Sequence, residues 1–436
     1  MHDFRRHGHT LIDWVADYLE DPRRYPVAPA CAPGDLQKLM PTAGPVHGES
    51  MEAILSDFRA AVLPRVTHWN HPHFHAYFSV SASGPGVLAE LLTAALNVNA
   101  MLWRSCPAAT ELEQIVAVWV LDWLGLPPDW FGMILDCAST AVFHALVAAR
   151  RRAGGPLETL TVYIADHTHS SIEKGAIAAG IPPGNIRKID LACLANVLRD
   201  DRARGLRPFF VAATVGSTSS AAIDPVAAIA EICRAHHVWL HVDGAYGGSF
   251  GLLPECRHFL DGVARADSFI VNPHKGMMVP LDCSLLYTAH PEALRAAFTL
   301  RPEYLRTDVE TVDFTDYGLA LGRRFRALKL WFVLRYYGRE GIAANLRKSL
   351  DLAAWLADRI AADPRLELAA PVGMGLVCFR VREGDSATRD LMRRLDVFAS
   401  HTVLDGRFVI RIAIGNSGTQ RSDIEALWKA ITTALS

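Results

Sequence analysis

Short apolar runs alternate with helical segments between residues 84 and 335, and this alternation limits the possible folds more than any other feature of the chain. Five such runs lie at residues 162–164, 209–212, 238–240, 269–271 and 285–287. Helical patterns separate several of them, for example at residues 226–236. That order is typical of a mostly parallel sheet covered by helices on both faces. We therefore predict an α/β fold with a large sheet-containing domain over residues 84–340.

The segment before this domain is predicted to form an arm. Residues 4–20 carry apolar side chains at helical spacing, a proline-rich stretch at 22–45 indicates an extended connector, and a second helix is expected at about residues 50–62. Two helices joined by a loop are too small to bury a core of their own. We therefore predict that residues 1–83 pack on a partner subunit.

The segment after the large domain is predicted to form a smaller α/β domain over residues 341–436. It contains a long amphipathic helix, strand-like runs near residues 375–379 and 408–412, and a final helix. Apolar side chains of that last helix recur at helical spacing and predict its buried face. They are Ile424, Leu427, Trp428, Ile431 and Leu435.

Composition excludes several classes of partner. The chain has 436 residues and a formal net charge of −2, so electrostatics give no basis for binding nucleic acid or an anionic membrane. No uninterrupted apolar run approaches the roughly 18 residues of a membrane-spanning helix. The eight cysteines form no CxxC pair, and the N-terminus lacks the apolar core of a secretory signal. These features predict a cytoplasmic protein with reduced thiols.

A lysine and an aspartate follow two of the predicted strands. The apolar run at 268–271 leads into Asn272, Pro273, His274 and Lys275, and the run at 239–242 ends in Asp243. This pair suits pyridoxal 5′-phosphate (PLP), because a lysine can hold that cofactor as a Schiff base. The aspartate can pair with the pyridinium nitrogen and keep it protonated, so that the ring accepts electrons. The residues therefore predict a PLP site.

Two further segments fit the same cofactor. Ala138 and Ser139 precede a predicted helix, whose free backbone N–H groups and positive dipole end suit a phosphate. An ordinary serine N-cap is the alternative interpretation. His167 and His169 lie just after the strand at 162–165, and a histidine here could stack on the cofactor ring.

Other ligands fit the sequence less well. His167 with His169, and the alternating histidines at 71–75, raise a zinc interpretation, but no carboxylate or cysteine completes either set. We therefore predict no metal. The glycine cluster at 244–248 lacks the GxGxxG spacing, which excludes a dinucleotide fold of that type.

With these motifs in place, the chain resembles the group II PLP-dependent amino-acid decarboxylases, and among them the aromatic-L-amino-acid decarboxylases and aromatic acetaldehyde synthases. The likeness runs nearly from end to end. It rests on motifs at residues 71–78, 105–113, 169–171, 241–246, 272–275 and 322–325. The resemblance implies PLP fold type I and an obligate homodimer with shared active sites at the subunit interface.

The resemblance also implies roles for individual residues. Lys275 would form the Schiff base, Asp243 would bind the pyridinium nitrogen, and His169 would stack on the ring with Ala245 against its other face. The remaining cofactor-binding residues would be Ala138, Ser139, Thr218, Asn272 and His274. The substrate pocket would include Trp69, Tyr77 and Phe78, with Val80 and Met101 standing where animal members carry a threonine and a phenylalanine from the partner subunit.

One departure from the family bears on the product. Loss of CO2 leaves a carbon that must gain a proton to give an amine, and decarboxylases of this family use a loop tyrosine for that step. Phe314 stands at this position, counted back from Gly322. In plant relatives a phenylalanine there marks the aldehyde synthases, which consume O2 and release aldehyde, ammonia, CO2 and peroxide. We therefore predict decarboxylation of an L-amino acid coupled to oxidative deamination, with O2 as co-substrate.

Other functions remain open at this point. Tyr317 could supply the proton from a loop in a different register, which would make the chain a plain decarboxylase. A catalytically silent PLP-binding protein is a second alternative, although Lys275, Asp243 and His169 are all present. An aminotransferase is a third, and it would need a specific arginine for the substrate carboxylate.

Overall fold

The computed structural model describes residues 3–300 and 311–436, and its largest element is a seven-stranded sheet. In chain order the strands are β1 (Phe131–Leu135), β2 (Leu160–Ile164), β3 (Ile186–Lys188), β4 (Arg207–Thr214), β5 (Trp239–Asp243), β6 (Ser268–Val271) and β7 (Ser284–Thr288). Their spatial order is β1-β7-β6-β5-β4-β2-β3. The sheet is parallel from β3 through β6, whereas β7 pairs antiparallel with both β6 and β1. The predicted α/β fold with a mostly parallel sheet is confirmed.

The central strands are apolar throughout because both faces of the sheet are covered. Alternate residues of β4 point to opposite sides, so that Phe210 joins one buried apolar cluster and Val211 another. On β6, Ile270 joins the first cluster and Phe269 the second. A strand buried in this way shows as a continuous hydrophobic run, which is why the sequence pattern revealed it.

The helices are arranged on both faces and at the two ends of the chain. They are α1 (Phe4–Glu20), α2 (Asp35–Leu39), α3 (Met51–Asp57), α4 (Gly84–Leu96), α5 (Pro107–Trp123), α6 (Ala138–Ala153), α7 (Ser170–Ala178), α8 (Leu194–Ala203), α9 (Val226–Ala235), α10 (Pro273–Gly276), α11 (Pro291–Phe298), α12 (Arg326–Ala362), α13 (Asp385–Arg394) and α14 (Arg421–Ala434). Helix α6 contacts five strands of the large sheet, β1 and β4 to β7. None of the described helices is long and apolar enough to cross a membrane.

A second, antiparallel sheet lies in the C-terminal part of the chain. Its strands are β8 (Leu366–Leu368), β9 (Leu376–Val381), β10 (Ser400–Leu404) and β11 (Arg407–Ala413), in the order β10-β11-β9-β8. Helix α12 links the two sheets and is interrupted at Gly338, where φ is 63° and ψ is 175°. The long helix predicted beyond about residue 340 corresponds to the part of α12 that follows this interruption, and the predicted boundary at 340/341 lies just beyond Gly338. That boundary and the one at 83/84 stay predictions.

A carboxylate at the start of the last helix binds the N-terminal segment. Asp423, in the first turn of α14, accepts hydrogen bonds from Arg23 Nη2 (2.8 Å), His73 Nε2 (2.9 Å) and the backbone N–H of Gln420 (2.7 Å). Helix α1 fully buries only His7, and its apolar residues Phe4, Leu11 and Ile12 remain exposed in the single chain. The arm therefore presents apolar surface that its own chain does not cover.

Candidate active site

Five loops at one edge of the large sheet converge on a common cavity. They follow the carboxyl ends of β1, β2, β4, β5 and β6, where ligands bind in open parallel sheets. The cavity is lined by Phe78, Cys137, Ala138, Ser139, His169, Thr214, Gly216, Thr218, Asp243, Ala245, Tyr246, Asn272, His274 and Lys275. The sheet topology, and not proximity along the chain, therefore assembles these residues.

Lys275 projects from a single helical turn immediately after β6. Its Nζ lies 5.9 Å from the centre of the Phe78 ring. Within the described ranges, no hydrogen bond or ion pair holds that amine in place. Burial lowers the pKa of Lys275 below its usual range, and the nearby Asp243 carboxylate opposes this effect. An amine with a lowered pKa spends more time uncharged, which is the form that attacks a carbonyl carbon.

Asp243 ends β5 and is almost fully buried. Its Oδ1 accepts a hydrogen bond from the backbone N–H of Ala245 (2.9 Å), and its main-chain carbonyl accepts one from Val215 (2.8 Å). A buried carboxylate requires a charged or hydrogen-bonding partner. Its second oxygen makes no hydrogen bond to any described residue, so it is available to a cationic ring nitrogen.

The opposite end of the cavity offers donors for an anion. Helix α6 begins at Ala138 with Cys137 in the N-cap position, and it is 16 residues long. Its first backbone N–H groups have no partner within the helix, and its dipole favours negative charge. The Cys137 thiol lies 3.3 Å from Thr140 Oγ1, so this side chain interacts with the first turn of its own helix.

His274 and Asn272 form the wall next to Lys275. His274 Nδ1 accepts a hydrogen bond from the backbone N–H of Cys283 (2.9 Å), and Ser284 Oγ donates to Asn272 Oδ1. Burial lowers the pKa of His274 to about 3, so this imidazole is neutral at physiological pH. The wall is therefore rigid and uncharged.

Hydrogen bonds before and after His169 in the sequence hold the loop that carries it. It caps α7, where its Nδ1 accepts from the backbone N–H of Ser171 (3.2 Å). Two residues earlier, His167 Nε2 lies 3.0 Å from the Asp224 carboxylate, whose other oxygen accepts from the N–H of Thr214 (2.7 Å). The loop that carries His169 is thus tied to the end of β4.

The structure brings all nine sequence-predicted cofactor residues to this cavity, together with Phe78 from the predicted substrate set. Four lining residues had no predicted role, namely Thr214, Gly216, Tyr246 and Cys137. Thr214 and Gly216 flank the end of β4, and Tyr246 stacks on Phe78 with ring centres 3.5 Å apart. The signal for Thr214 and Gly216 was the end of a predicted strand, the same signal that indicated His169, Asp243 and Lys275.

The other predicted pocket residues do not line the cavity in a single chain. Trp69 and Tyr77 stack on each other at 5.7 Å and are 37% and 53% exposed. Val80 is half-buried elsewhere. The carbonyl of Met101 accepts a hydrogen bond from the N–H of Thr315 (3.1 Å), which places Met101 beside the segment that follows residue 311.

Phe314 and Tyr317 also lie away from the cavity. Phe314 is 1% exposed, and the Arg323 guanidinium lies 4.4 Å from the centre of its ring. Tyr317 stacks on Phe131 with ring centres 4.4 Å apart. Residues 306–310 of the predicted loop at 306–321 lie outside the described residues.

The residues at the cavity fit pyridoxal phosphate. That cofactor presents an aldehyde carbon, a ring nitrogen and a phosphate, and the cavity offers an unpaired amine, a free carboxylate oxygen and a helix N-terminus. Thr214 Oγ1 is buried there and has no hydrogen-bond partner in the described part of the chain, as expected of a group that meets a ligand. Among the described residues, no group of three or more His, Cys, Asp or Glu side chains is arranged to hold a metal.

The fold and this site define a fold type I PLP enzyme. Residues 33–382 match the family model described as the pyridoxal-dependent decarboxylase conserved domain. The chain belongs to this family of PLP-dependent carboxy-lyases, and pyridoxal 5′-phosphate is its cofactor.

Its relatives include both an aldehyde synthase and a decarboxylase. Phenylacetaldehyde synthase of Arabidopsis thaliana is 39% identical over 464 residues, which cover 98% of this chain and 94% of the plant protein. Tryptophan decarboxylase 2 of Oryza sativa subsp. japonica is 38% identical over 463 residues, with 98% and 93% covered. The crystal structure of Oryza sativa TDC with PLP and tryptamine superposes with a TM-score of 0.97 at 36% identity, covering 100% of this chain and 98% of that one.

Proposed function

We propose that this enzyme converts an aromatic L-amino acid, O2 and water into an aldehyde, CO2, ammonia and hydrogen peroxide. The observation that carries the proposal is the phenylalanine at position 314, since its side chain has no proton to transfer. Decarboxylases of the family that this chain resembles carry a tyrosine there. Without a donor, the carbon that has lost CO2 stays electron-rich long enough to be oxidised by O2.

The residues around the cavity take the roles that the resemblance implies. Lys275 would bind the cofactor and release it to the substrate amine, Asp243 would keep the ring nitrogen protonated, and the start of α6 would hold the phosphate. When bound, PLP supplies the electron sink that makes loss of CO2 possible. His169 and Ala245 confine the cofactor from its two faces. The chain contributes binding, orientation and charge, and the cofactor contributes the electronic chemistry.

An aromatic substrate is supported by the aromatic residues in the chain segment that carries Phe78. Phe78 lines the cavity, and a cluster of Trp69, Phe74 and Tyr77 lies close to it in sequence, with the Trp69 and Phe74 rings 4.4 Å apart. Aromatic side chains favour stacked or edge-on contact with an aromatic ligand. The names of the relatives also refer to products or substrates with aromatic rings.

A homodimer with shared active sites would cover surface that the single chain leaves exposed. Helix α4 exposes Leu88, Leu91, Leu92 and Leu96, each by 45% or more. A contiguous apolar face of this kind marks a protein interface. We propose that the partner subunit packs here and that its Phe314 and Met101 face the cavity of this chain. For this, the segment containing Phe314 must leave the buried position next to Arg323.

The alternative product is the amine, with Tyr317 as proton donor. One observation supports this alternative: Tyr317 lies only three residues from Phe314 and belongs to the same buried cluster. Any rearrangement that carries Phe314 to the partner's cavity also moves this phenol.

One aerobic experiment separates the two outcomes. Holoenzyme is incubated with phenylalanine, tyrosine, DOPA and tryptophan, while CO2, amine, aldehyde and peroxide are measured together. We expect aldehyde and peroxide in step with CO2, and we expect Phe314→Tyr to restore amine. Amine in stoichiometric yield with no peroxide would refute the proposal. Tyr317→Phe is the matched control, because it removes the rival donor and should leave the aldehyde yield unchanged.

A further inference from the structure

We propose that Ser171 is a positioning residue whose backbone N–H holds His169 as a neutral imidazole with its proton on Nε2. In this form His169 donates a hydrogen bond into the cavity but cannot act as the proton donor that Phe314 fails to provide. The inference deepens the proposed function and rests on it. It assigns a role in product choice to a main-chain group outside the cavity lining.

The geometry determines which nitrogen carries the proton. The N–H of Ser171 lies 3.2 Å from His169 Nδ1, and a backbone N–H can only donate. Nδ1 must therefore present a lone pair, so the single proton of the neutral ring resides on Nε2. Ser171 Oγ lies 2.8 Å from the same nitrogen and can also donate to it. The backbone contact therefore determines the tautomer, and the hydroxyl contact is compatible with it.

His169 cannot move away from this contact without breaking other bonds. It is the N-cap of α7, and its extended backbone (φ −61°, ψ 136°) directs the side chain back over the first turn. On the other side, the pair of His167 and Asp224 anchors the loop to Thr214. The ring is therefore fixed from both directions along the chain.

A second proton on this ring would require Nδ1, which the cap occupies. Burial also lowers the pKa of His169; the Asp243 carboxylate raises it, and the Lys275 and Lys174 amines lower it. A neutral imidazole that gave up its Nε2 proton would become an anion, which is inaccessible near neutral pH. His169 is thus a hydrogen-bond donor only, and neither it nor Phe314 can protonate the substrate carbon.

Nitrogen-15 NMR on histidine-labelled protein tests the tautomer directly, with His169→Asn used to identify the signal. In both cofactor-free and PLP-loaded enzyme we expect Nδ1 to show the shift of an unprotonated nitrogen and Nε2 that of a protonated one. A proton on Nδ1, or a doubly protonated ring at neutral pH, would overturn the inference. This readout does not depend on which product the enzyme forms.

Two substitutions at one position then separate the backbone N–H from the side chain. Ser171→Ala keeps the N–H, so the tautomer and the product should not change. Ser171→Pro removes it, and we expect Nδ1 to take up a proton and the amine-to-aldehyde ratio to rise roughly tenfold or more. Ser170→Pro places the same residue type one position earlier and should change neither. An unchanged tautomer in folded Ser171→Pro would also refute the assignment.

The two proposals can fail separately. If the predicted tautomer is found but the wild-type product is amine, the proposed function is wrong and the assignment of Ser171 stands. If the product is aldehyde but Nδ1 carries the proton, only the assignment is wrong. Should Ser171→Pro fail to fold, the wild-type spectrum still decides the question.

Discussion

The guanidinium of Arg411 lies 4.6 Å from the centre of the Phe78 ring, so a strand of the small sheet supports a wall of the cofactor cavity. The same side chain donates from Nε to the carbonyl of Thr218 (2.8 Å) and from Nη1 to the carbonyl of Ala76 (2.8 Å). Arg411 is buried and connects two segments more than 100 residues apart in sequence. The C-terminal sheet is therefore a structural part of the site.

Replacing Arg411 with alanine should destabilise the protein and weaken PLP binding together. The carbonyls of Thr218 and of the buried Ala76 would lose their donor, and we expect unfolding to become easier by about 3 kcal/mol. Urea unfolding and PLP titration measure the two effects. Arg389→Ala is the matched control, because Arg389 lies 4.1 Å from the centre of the Phe408 ring but is exposed, so its loss should cost about 1 kcal/mol or less. Equal costs for the two variants would contradict the buried role.

The contact between His167 and Asp224 should make stability depend on pH. The hydrogen bond to Asp224 raises the pKa of His167 above its usual 6.5, and partial burial opposes this. A raised pKa means that the stabilisation is complete below 6.5 and is lost as pH rises through the folded-state value. One third of the side chain is exposed, so we expect at most about 1 kcal/mol.

The measurement compares wild type with His167→Gln by urea unfolding at about pH 6 and about pH 8. Glutamine can still donate to Asp224 but carries no charge. We expect wild type to exceed the variant in stability at the lower pH and the difference to shrink at the higher one. A difference that is the same at both values would show that the charge of His167 is not involved.

Lys275 should be required for retention of the cofactor. In Lys275→Ala we expect PLP to leave on dialysis and the visible absorbance of the lysine Schiff base to be absent. Lys174→Ala changes an exposed lysine in α7 close enough to affect His169, and it should retain the cofactor. Covalent PLP on another lysine of the Lys275→Ala protein would contradict the assignment.

Thr214→Val should affect the cofactor-free and PLP-loaded forms in opposite directions. The hydroxyl of Thr214 is buried without a partner, so an isosteric methyl should stabilise the cofactor-free form by about 1 kcal/mol. If the hydroxyl meets the cofactor, the loaded form should be less stable than wild type. Thr110→Val is the control, because its hydroxyl is also buried and unpaired but lies outside the cavity. It should shift both forms equally in thermal unfolding.

The sequence predicted best what depends on local order. Lys275 and Asp243 follow apolar strands, and a parallel sheet brings such strand ends together whatever the details of packing. The support from Arg411 could not be found in this way, because it joins β11 to a turn 193 residues earlier in the chain. Strand β10 was missed because it alternates half-buried and exposed residues and so gives no apolar run.

The substrate-pocket residues implied by the family resemblance could not be placed from the sequence for a different reason. In the single chain, Met101 contacts the segment that contains Phe314, and both residues lie away from the cavity. A sequence pattern does not show whether a side chain lines the active site of its own subunit or that of the partner subunit. Their roles therefore stay predictions, to be tested through the product and not through the fold.

Asp423 has a practical consequence for protein engineering. Its carboxylate accepts hydrogen bonds from Arg23, His73 and the N-cap residue of the last helix. It therefore links the N-terminal segment to the C-terminal helix. A truncation that removes residue 23 leaves an acid that is 5% exposed without its guanidinium partner. Fusion tags are therefore better attached beyond either terminus than substituted for the first 25 residues.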